Sequence, residues 1–338
     1  MELRENLTRV SVVIPSHRGG CLLRDAIASV QSQTLEDWEI IVVLDGAEDD
    51  LSDMERDDHR IRVFRQRRCG ASIARNVGVR HARSELIAFL DDDDRMLPGR
   101  LTAQLEAMKD GNIGLCHTGV IVIGEDGEPL HSNGSQGTQH GIVREDRHPE
   151  RSGRPAQYHD FLRGEAGTVL SSVMVRRSLV HELGGFNPLL PVGEDLDFFF
   201  RIASETTIDF LPETLTEYRR HSGNTWSEAT TTRELKLILS QHALRAEARG
   251  DTESLQALRI GLANLLSGRA VFALKRAREA QEQHKYITAL VAVGDAVYSS
   301  PRGTLRAIRR TLRKELAGRS LAALPYARIK RPRGAGFS

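Results

Sequence analysis

Four consecutive aspartates, Asp91 to Asp94, follow an apolar run over residues 85–90 that is typical of a buried strand. Carboxylates crowded at a strand end repel one another unless a cation neutralises them. Hard oxygen ligands of this kind suit Mn²⁺ or Mg²⁺, which in turn bind phosphate oxygens. An acidic run alone is more typical of a solvated loop that caps the helix beginning near Pro98. Its position directly after a buried strand favours a metal and phosphate site instead.

Asp45 and Arg75 are two further polar residues that could serve a bound nucleotide. Asp45 follows a second apolar run, residues 39–44, and could accept hydrogen bonds from a nucleobase or simply form a turn. Arg75 lies in a helix predicted to open after Gly70, and it could contact a nucleobase or a phosphate. Without further context, a helix arginine of this kind is expected to be exposed and to have no such role.

Acid–base groups recur in the second half of the chain. Glu194 and Asp195 follow Gly193 at the start of a predicted helix, where acidic residues complement the helix dipole. A carboxylate at this place could also take the proton from an attacking hydroxyl group. A lone histidine is usually structural, but His221 follows two arginines in a predicted loop and could hold a diphosphate or a metal ion.

Strands and helices alternate over the first 120 residues, and they must position these side chains. Apolar strands are predicted at 10–14, 39–44, 61–64 and 85–90, with helical patterns between them. Strands that are apolar on both faces indicate a parallel sheet covered by helices on both sides. Ligands bind at the carboxyl ends of the strands in such sheets. We therefore expect Asp45 and the acidic run at one edge of the sheet.

The pattern changes twice after this region. Residues 124–160 are rich in Gly, Ser, His and Gln, which predicts a long functional loop. Residues 168–175 then predict a strand, and one or two short strands are predicted within 208–218. Leucines at helical spacing dominate beyond about residue 230. The chain is therefore predicted to end in a helical C-terminal region, residues 229–338.

Six segments resemble, in order and spacing, the motifs of family 2 glycosyltransferases of the GT-A fold. They are VSVVIPSHRGG, SVQSQTLEDWEIIVVLDGAEDD, GASIARNVGV, ELIAFLDDDDRMLPGRL, LGGFNPLLPVGEDLDFFFRI and YRRHSGNTWS, within residues 9–226. The resemblance implies a Rossmann-like, mainly parallel sheet flanked by helices in a glycosyltransferase domain, residues 1–228, with the α-helical extension after it. It also implies inverting, metal-dependent transfer of a sugar from a nucleotide-sugar, usually UDP-linked, to an acceptor hydroxyl in cell-surface polysaccharide or glycolipid synthesis.

Roles for single residues also follow from the resemblance. Asp195 matches the catalytic base, and Asp93 with Asp91 matches the ligands of Mn²⁺ or Mg²⁺. The donor-binding positions that it implies are Pro15, Ser16, Asp45, Arg75, Asp91, Asp92, Glu194 and His221.

Two positions depart from the family pattern. Family members often have two acidic residues before the glycine of the loop that follows the second strand. This chain has Leu44 and Asp45 before Gly46, so the first acid is missing, which weakens the implication that the nucleobase is uracil. The frequent Tyr-Asn pair after the first strand is His17-Arg18, so the contact to the donor can differ at this position.

The distribution of charge along the chain indicates which kinds of partner to expect. The net charge is +1 over 338 residues, yet residues 301–338 hold 11 basic residues and a single acidic one, Glu315. Arginines alternate with leucines in this tail, as in basic amphipathic helices that lie on anionic membranes. We therefore expect residues 302–333 to attach the chain peripherally to the inner face of the cell membrane, near a glycan or lipid-linked acceptor. A helix packed on the protein's own surface is the alternative.

Nucleic acid is not expected as a partner, because the rest of the chain is acidic and aromatics make up only 5%.

Cysteine usage and hydropathy indicate which cellular compartment to expect. The three cysteines, Cys21, Cys69 and Cys116, are far apart and form no Cys-x-x-Cys pair, which fits a reducing compartment. The N-terminus lacks the apolar stretch of a signal peptide, and no run of about 18 apolar residues predicts a membrane span. These features predict a cytoplasmic location.

Two other functions fit parts of the sequence. A sugar-nucleotide nucleotidyltransferase would share the nucleotide-binding half, but it needs a glycine-rich, basic phosphate loop, of which residues 17–20 are only a faint version. A non-catalytic nucleotide-sugar-binding module is the second alternative, and the presence of Asp93 and Asp195 argues against it. The sequence leaves the donor sugar and the acceptor open.

Overall fold

The computed structural model describes residues 8–130, 158–163, 168–221 and 228–264, and all structural statements refer to these residues. The strands are β1 (Val10–Ser16), β2 (Trp38–Asp45), β3 (Ile61–Gln66), β4 (Leu86–Phe89), β5 (Arg95–Met96), β6 (Ile113–Ile123), β7 (Val173–Arg176) and β8 (Thr207–Arg219). The helices are α1 (Cys21–Gln31), α2 (Ser52–Asp57), α3 (Ala71–His81), α4 (Arg100–Ala107), α5 (Tyr158–Arg163), α6 (Arg177–Glu182), α7 (Glu194–Ala203), α8 (Glu228–Ala248) and α9, residues 252–264.

The strands form one mixed, mainly parallel sheet in the order β3-β2-β1-β4-β7-β6-β8-β5. β1 pairs in parallel with β2 and β4, and β2 pairs in parallel with β3. β7 is antiparallel to both neighbours, β6 is parallel to β8, and β5 is antiparallel to β8. The first four strands therefore end at the same edge. The predicted class, a mainly parallel sheet flanked by helices, is confirmed, and the helical C-terminal extension stays a prediction.

Burial explains why this edge is well defined. Every residue of β1 and β2 is buried, and aliphatic side chains of α1 pack on one face of the sheet. A fully buried aliphatic side chain contributes ~1.5–3 kcal/mol to folding. On another helix, Gly78 lets α3 approach β1, since a Cβ there would lie 2.4 Å from Cγ1 of Val13. The strand ends and the start of α3 are thus fixed by the core.

Local differences from the prediction have a physical cause. The strand predicted over 168–175 begins only at Val173, because residues 170–172 form a 3₁₀ turn. The hydroxyl of Ser172 donates to the carbonyl of Val169 at 2.7 Å, and serine side chains that bond the nearby backbone compete with strand pairing. β6 was not predicted individually; it has eleven residues, of which Leu115, Cys116 and His117 pair with β7, and it pairs along most of its length with β8. The strands predicted within 208–218 are one continuous strand, β8.

The loop predicted over 124–160 is described only at its two ends. Residues 124–130 make a turn beside β6, and α5 starts at Tyr158, so a helix replaces the end of the predicted loop. α8 and α9 belong to the same compact unit as the sheet, Met1–Asn264. The domain boundary at residue 228 stays a prediction. The basic tail at 302–333 lies outside the described residues.

Among the described helices, none combines the length and the apolar character that crossing a bilayer requires.

Candidate active site

The acidic run, called here the acid loop (Asp91–Asp94), leaves β4 at the edge where β1 and β2 also end. The backbone N–H of Asp91 donates to the hydroxyl of Ser171 at 3.0 Å, and that of Asp94 donates to the carbonyl of Asp91 at 3.2 Å. This tight turn sends the four side chains into different surroundings. The four carboxylates are therefore chemically distinct.

Asp94 faces the interior and is 0% exposed. Its Oδ1 accepts the backbone N–H of Arg219 at 2.8 Å, and Nε of Arg219 donates to the carbonyl of Asp93 at 2.9 Å. Burial, together with the charges of Asp93 and Asp91, raises the pKa of Asp94 well above its ordinary value. Asp94 therefore joins the acid loop to the end of β8.

Asp93 faces His221, which follows β8. Nε2 of His221 and Oδ2 of Asp93 are 2.8 Å apart. Burial, and then the charge of Asp91, raises the pKa of Asp93. Among residues of the described ranges, no three His, Cys, Asp or Glu side chains converge as a metal-ligand set. At this point the structure therefore brings together one carboxylate and one imidazole.

Asp92 meets the end of β1. The hydroxyl of Ser16 donates to Oδ2 of Asp92, and the backbone N–H of Gly19 donates to the same hydroxyl at 3.0 Å. Burial raises the pKa of Asp92 to about 6. Pro15 precedes this contact and is buried in β1 opposite Val43 of β2. The sheet therefore brings Ser16 and Asp92 together, while Pro15 belongs to its buried layer.

Asp45, at the end of β2, anchors the loop that leads into α3. It is 3% exposed, and it accepts hydrogen bonds from Nε2 of Gln66 at 2.8 Å and from the backbone N–H groups of Cys69 and Gly70 at 2.7 and 2.8 Å. These bonds correspond to the turn-forming role that the sequence left open for it. Contact of Asp45 with a nucleobase stays a prediction.

Arg75 lies beneath the acid loop and is 5% exposed. Its Nη2 donates to Oδ1 of Asp91 and its Nη1 to Oε1 of Glu194, both at 2.7 Å. The expectation of an exposed helix arginine is therefore wrong, because the carboxylates of Asp91 and Glu194 both pair with the buried guanidinium. One arginine thus joins the acid loop to the start of α7.

Asp195 lies in the first turn of α7, which follows Gly193 at a positive φ of 81°. Its Oδ1 accepts the backbone N–H of Leu196 at 2.7 Å. Burial raises the pKa of Asp195 to about 7; the charge of Glu194 adds to this effect, and that of Arg75 opposes it. A carboxyl group with a pKa near neutrality is suited to accept a proton at neutral pH.

Comparison with known proteins identifies the family of the chain. A family model described as "Glycosyl transferase family 2" matches residues 11–184, more than half of the chain. The chain belongs to glycosyl transferase family 2. The matched span contains the acid loop, Asp45 and Arg75, and it ends before α7. The family predicted from the sequence motifs is confirmed.

Two curated relatives come from bacteria. The chain is 36% identical over 126 residues to the putative teichuronic acid biosynthesis glycosyltransferase TuaG of Bacillus subtilis, covering 36% of this chain and 50% of that protein. It is 34% identical over 111 residues to the GalNAc(5)-diNAcBac-PP-undecaprenol beta-1,3-glucosyltransferase of Campylobacter jejuni, covering 31% of this chain and 36% of that protein. The chain thus spans half or less of these relatives' length.

A solved structure shares the fold. The crystal structure of S. aureus TarS 1-349 matches with a TM-score of 0.57 and 15% identity, over 93% of each chain. Structures of the same TarS segment in complex with UDP and with UDP-GlcNAc also match, each with a TM-score of 0.57. At this identity the likeness shows that the family 2 chain has the fold of TarS.

The turn that follows α6 depends on a residue that the sequence analysis did not single out. Nδ2 of Asn76 donates to the carbonyl of Phe186, and Oδ1 accepts the N–H of Phe186, both at 2.8 Å. A Cβ on Gly185 would lie 2.3 Å from this Oδ1, so only glycine fits there. Asn76 stands next to Arg75 in the family motif, and this adjacency could have indicated it. Ser171 and the buried His242 lie in no motif that would have indicated them.

Proposed function

We propose that the chain transfers a sugar from a UDP-linked nucleotide-sugar to an acceptor hydroxyl and inverts the anomeric configuration. One observation carries this proposal. Arg75 binds both Asp91 of the acid loop and Glu194, the neighbour of Asp195. One arginine therefore connects two regions. The first is the acid loop, whose carboxylates would hold a cation beside the donor phosphates. The second is the start of α7, where Asp195 would deprotonate the acceptor.

A divalent cation, Mn²⁺ or Mg²⁺, fits the chemistry of the acid loop. Burial and crowding raise the pKa values of Asp92 and Asp93, which means that negative charge accumulates there at a cost that a cation would offset. Asp93 and Asp91 would hold the ion together with phosphate oxygens of the donor, and His221 would stay beside Asp93. When bound, such an ion neutralises the charge that develops on the leaving diphosphate.

The protein's own residues supply the remaining steps of the proposal. The oxygen of the acceptor hydroxyl bonds to the anomeric carbon from the face opposite the phosphate, and Asp195 accepts the proton that this hydroxyl loses. The bond from that carbon to the phosphate oxygen breaks in the same displacement and releases the nucleoside diphosphate. Arg75 keeps Glu194 in place beside the proton acceptor. Ser16, Asp92 and Asp45 line the strand ends on which the donor would lie.

Relatives support the choice of substrates. TarS forms complexes with UDP and UDP-GlcNAc, and the Campylobacter relative is named for transfer onto an undecaprenol-linked glycan. We therefore propose a UDP-sugar donor and a glycan or lipid-linked acceptor. Peripheral attachment through residues 302–333 at the cytoplasmic membrane face remains part of this proposal. Sedimentation with anionic vesicles tests it: full attachment by a chain truncated at residue 300 would contradict it.

A donor panel tests the proposed reaction. The purified full-length chain is incubated with UDP-, GDP- and dTDP-sugars, with MnCl₂ or with a chelator, and the released nucleotide is identified. The proposal expects release of UDP from a UDP-sugar that depends on the metal. Release of pyrophosphate would indicate a nucleotidyltransferase. Donor binding without turnover, including with glycan and lipid-linked acceptors, would indicate a non-catalytic binding module.

A further inference from the structure

Helix α8 packs directly on the start of α7. Ile238 of α8 is fully buried, and a Cβ added to Gly193 would lie 3.0 Å from its Cδ1. Gly193 immediately precedes Glu194 and Asp195. α8 lies outside the span that the family model matches. A helix outside the matched span therefore packs against the residue that precedes Glu194 and Asp195.

A buried polar contact accompanies this packing. Asp197 of α7 is 2% exposed, and its Oδ1 lies 3.3 Å from Nε2 of His242 in α8, which is 3% exposed. The other oxygen of Asp197 accepts Nε of Arg201 at 2.8 Å. The ring of His242 also meets that of Phe200 edge-on, with centroids 5.1 Å apart. His242 is therefore held by a carboxylate and an aromatic ring of α7.

The charge state of Asp197 agrees with a defined role for this contact. Burial by itself raises the pKa of Asp197, yet the hydrogen bond with His242 and the charge of Arg201 hold it below its ordinary value. A buried carboxylate that loses one of its partners is strongly destabilised. Asp197 is thus an ionised group that depends on a partner from another helix.

Two other helices contact the first turn of α7. Residues two positions apart on a helix do not face each other, so Asp197 and Asp195 point in different directions. Arg75 of α3 binds Glu194 at 2.7 Å. His242 of α8 bonds Asp197, which lies three positions after Glu194 and so neighbours it on the helix surface. The first turn of α7 is therefore held by two contacts that reach it from different helices.

We infer that His242 is a positioning residue for the reaction: by bonding Asp197 across the α7–α8 contact, it fixes the turn that carries Asp195. The inference rests on the proposed role of Asp195 as the catalytic base. His242 touches no reacting group, so its contribution lies in the placement of the carboxylate that does. A displacement of about 1 Å in a catalytic group can reduce a rate by ~10²-fold.

Three variants test the inference. His242→Ala removes the contact, whereas His242→Gln retains an N–H donor that can reach Asp197. Leu244→Ala changes an exposed residue of the same helix, 66% exposed, and serves as the matched control. We expect His242→Ala to lower kcat by ~10-fold or more, within the range that misplacement of a catalytic group produces, with the donor KM changed less than about twofold. His242→Gln should recover most of the loss, and Leu244→Ala should behave as the wild type.

Hydrogen exchange provides a second measurement that does not need turnover. Peptides covering residues 193–203 should exchange faster in His242→Ala than in the wild type, while peptides of α1 should be unchanged. Unchanged exchange in α7, a kcat within twofold of the wild type, or a loss that His242→Gln does not reduce would each overturn the inference. A wild-type chain that is inactive with every donor and acceptor would instead refute the proposed function, and exchange would still show whether His242 fixes the turn.

Discussion

The acid loop and the first turn of α7 meet at Arg75, but they are placed by different kinds of interaction. The acid loop follows a strand of the sheet; at one end the backbone N–H of Asp91 donates to Ser171, and at the other the carboxylate of Asp94 accepts the backbone N–H of Arg219. The α7 turn follows a loop and is held by side chains of α3 and α8. A strand end is positioned by the sheet itself, whereas a helix start of this kind depends on a few individual contacts. We therefore expect the two regions to respond differently to substitution.

The largest effect is expected for the proton acceptor of the α7 turn. Asp195→Asn keeps the shape of the side chain but removes its basicity, so transfer should fall by ~10³-fold, within the range for general base catalysis. Donor affinity, measured by calorimetry with UDP and Mn²⁺, should change little, because the acid loop is intact. Asp25→Asn, an exposed change on α1, is the control. Near-normal turnover of Asp195→Asn would remove Asp195 from the mechanism.

A different outcome is expected in the acid loop. Asp93→Asn removes a charged ligand beside His221 and should weaken Mn²⁺ binding by at least ~10-fold, since even changes next to metal ligands have effects of that size. The measurement is a Mn²⁺ titration of activity and of UDP binding. In Asp195→Asn the binding titration should match that of the wild type. Equal Mn²⁺ affinity in Asp93→Asn and in the wild type would contradict the assignment of Asp93 to the metal.

The pH dependence of turnover separates the two regions further. Burial raises the pKa of Asp195 from 3.8 to about 7, and its ionised form is the one that accepts a proton. Activity at saturating donor and Mn²⁺ should therefore be constant above pH 7 and should fall as pH decreases through 7, by ~10-fold per unit well below it. Saturating metal keeps the acid loop ionised, so that this decline reports on α7. A decline that begins only near pH 4 would contradict the assignment.

Sequence patterns predicted the region placed by the sheet much better than the region placed by side chains. The apolar runs at 10–14, 39–44 and 85–90 correspond to β1, β2 and β4, and their ends bring Asp45 and the acid loop to one edge. The start of α7 was also predicted, but Asp195 was a candidate there on chemical grounds only, until the resemblance matched it to the catalytic base. The reason is physical: the apolar pattern of a buried strand is contained in a few consecutive residues, so it can be recognised from the local sequence.

Contacts between distant residues explain what the sequence could not predict. Arg75 is buried because Asp91 and Glu194 pair with it, and Glu194 lies 119 positions away along the chain. Arg219 and His242 act through partners 125 and 45 positions away. No local pattern encodes such pairs. A single helix arginine or histidine therefore looks unremarkable until the fold is known.

The smallest effect is expected inside the acid loop itself, at Asp94. Burial raises its pKa well above the ordinary value, so this buried site opposes a negative charge. Asp94→Asn supplies a neutral side chain of the same shape, and its Oδ1 can still accept the N–H of Arg219. Because this hydrogen bond is kept, we expect the free energy of unfolding to change by less than about 1 kcal/mol, which is what one hydrogen bond typically contributes. Metal-dependent activity should stay within about threefold of that of the wild type. Thermal unfolding and a Mn²⁺ titration measure both, with Asp93→Asn as the neighbouring comparison. A tenfold loss of Mn²⁺ affinity in Asp94→Asn would mean that the loop acts on the metal as a unit, and the distinction between an inward structural aspartate and an outward ligand would fail.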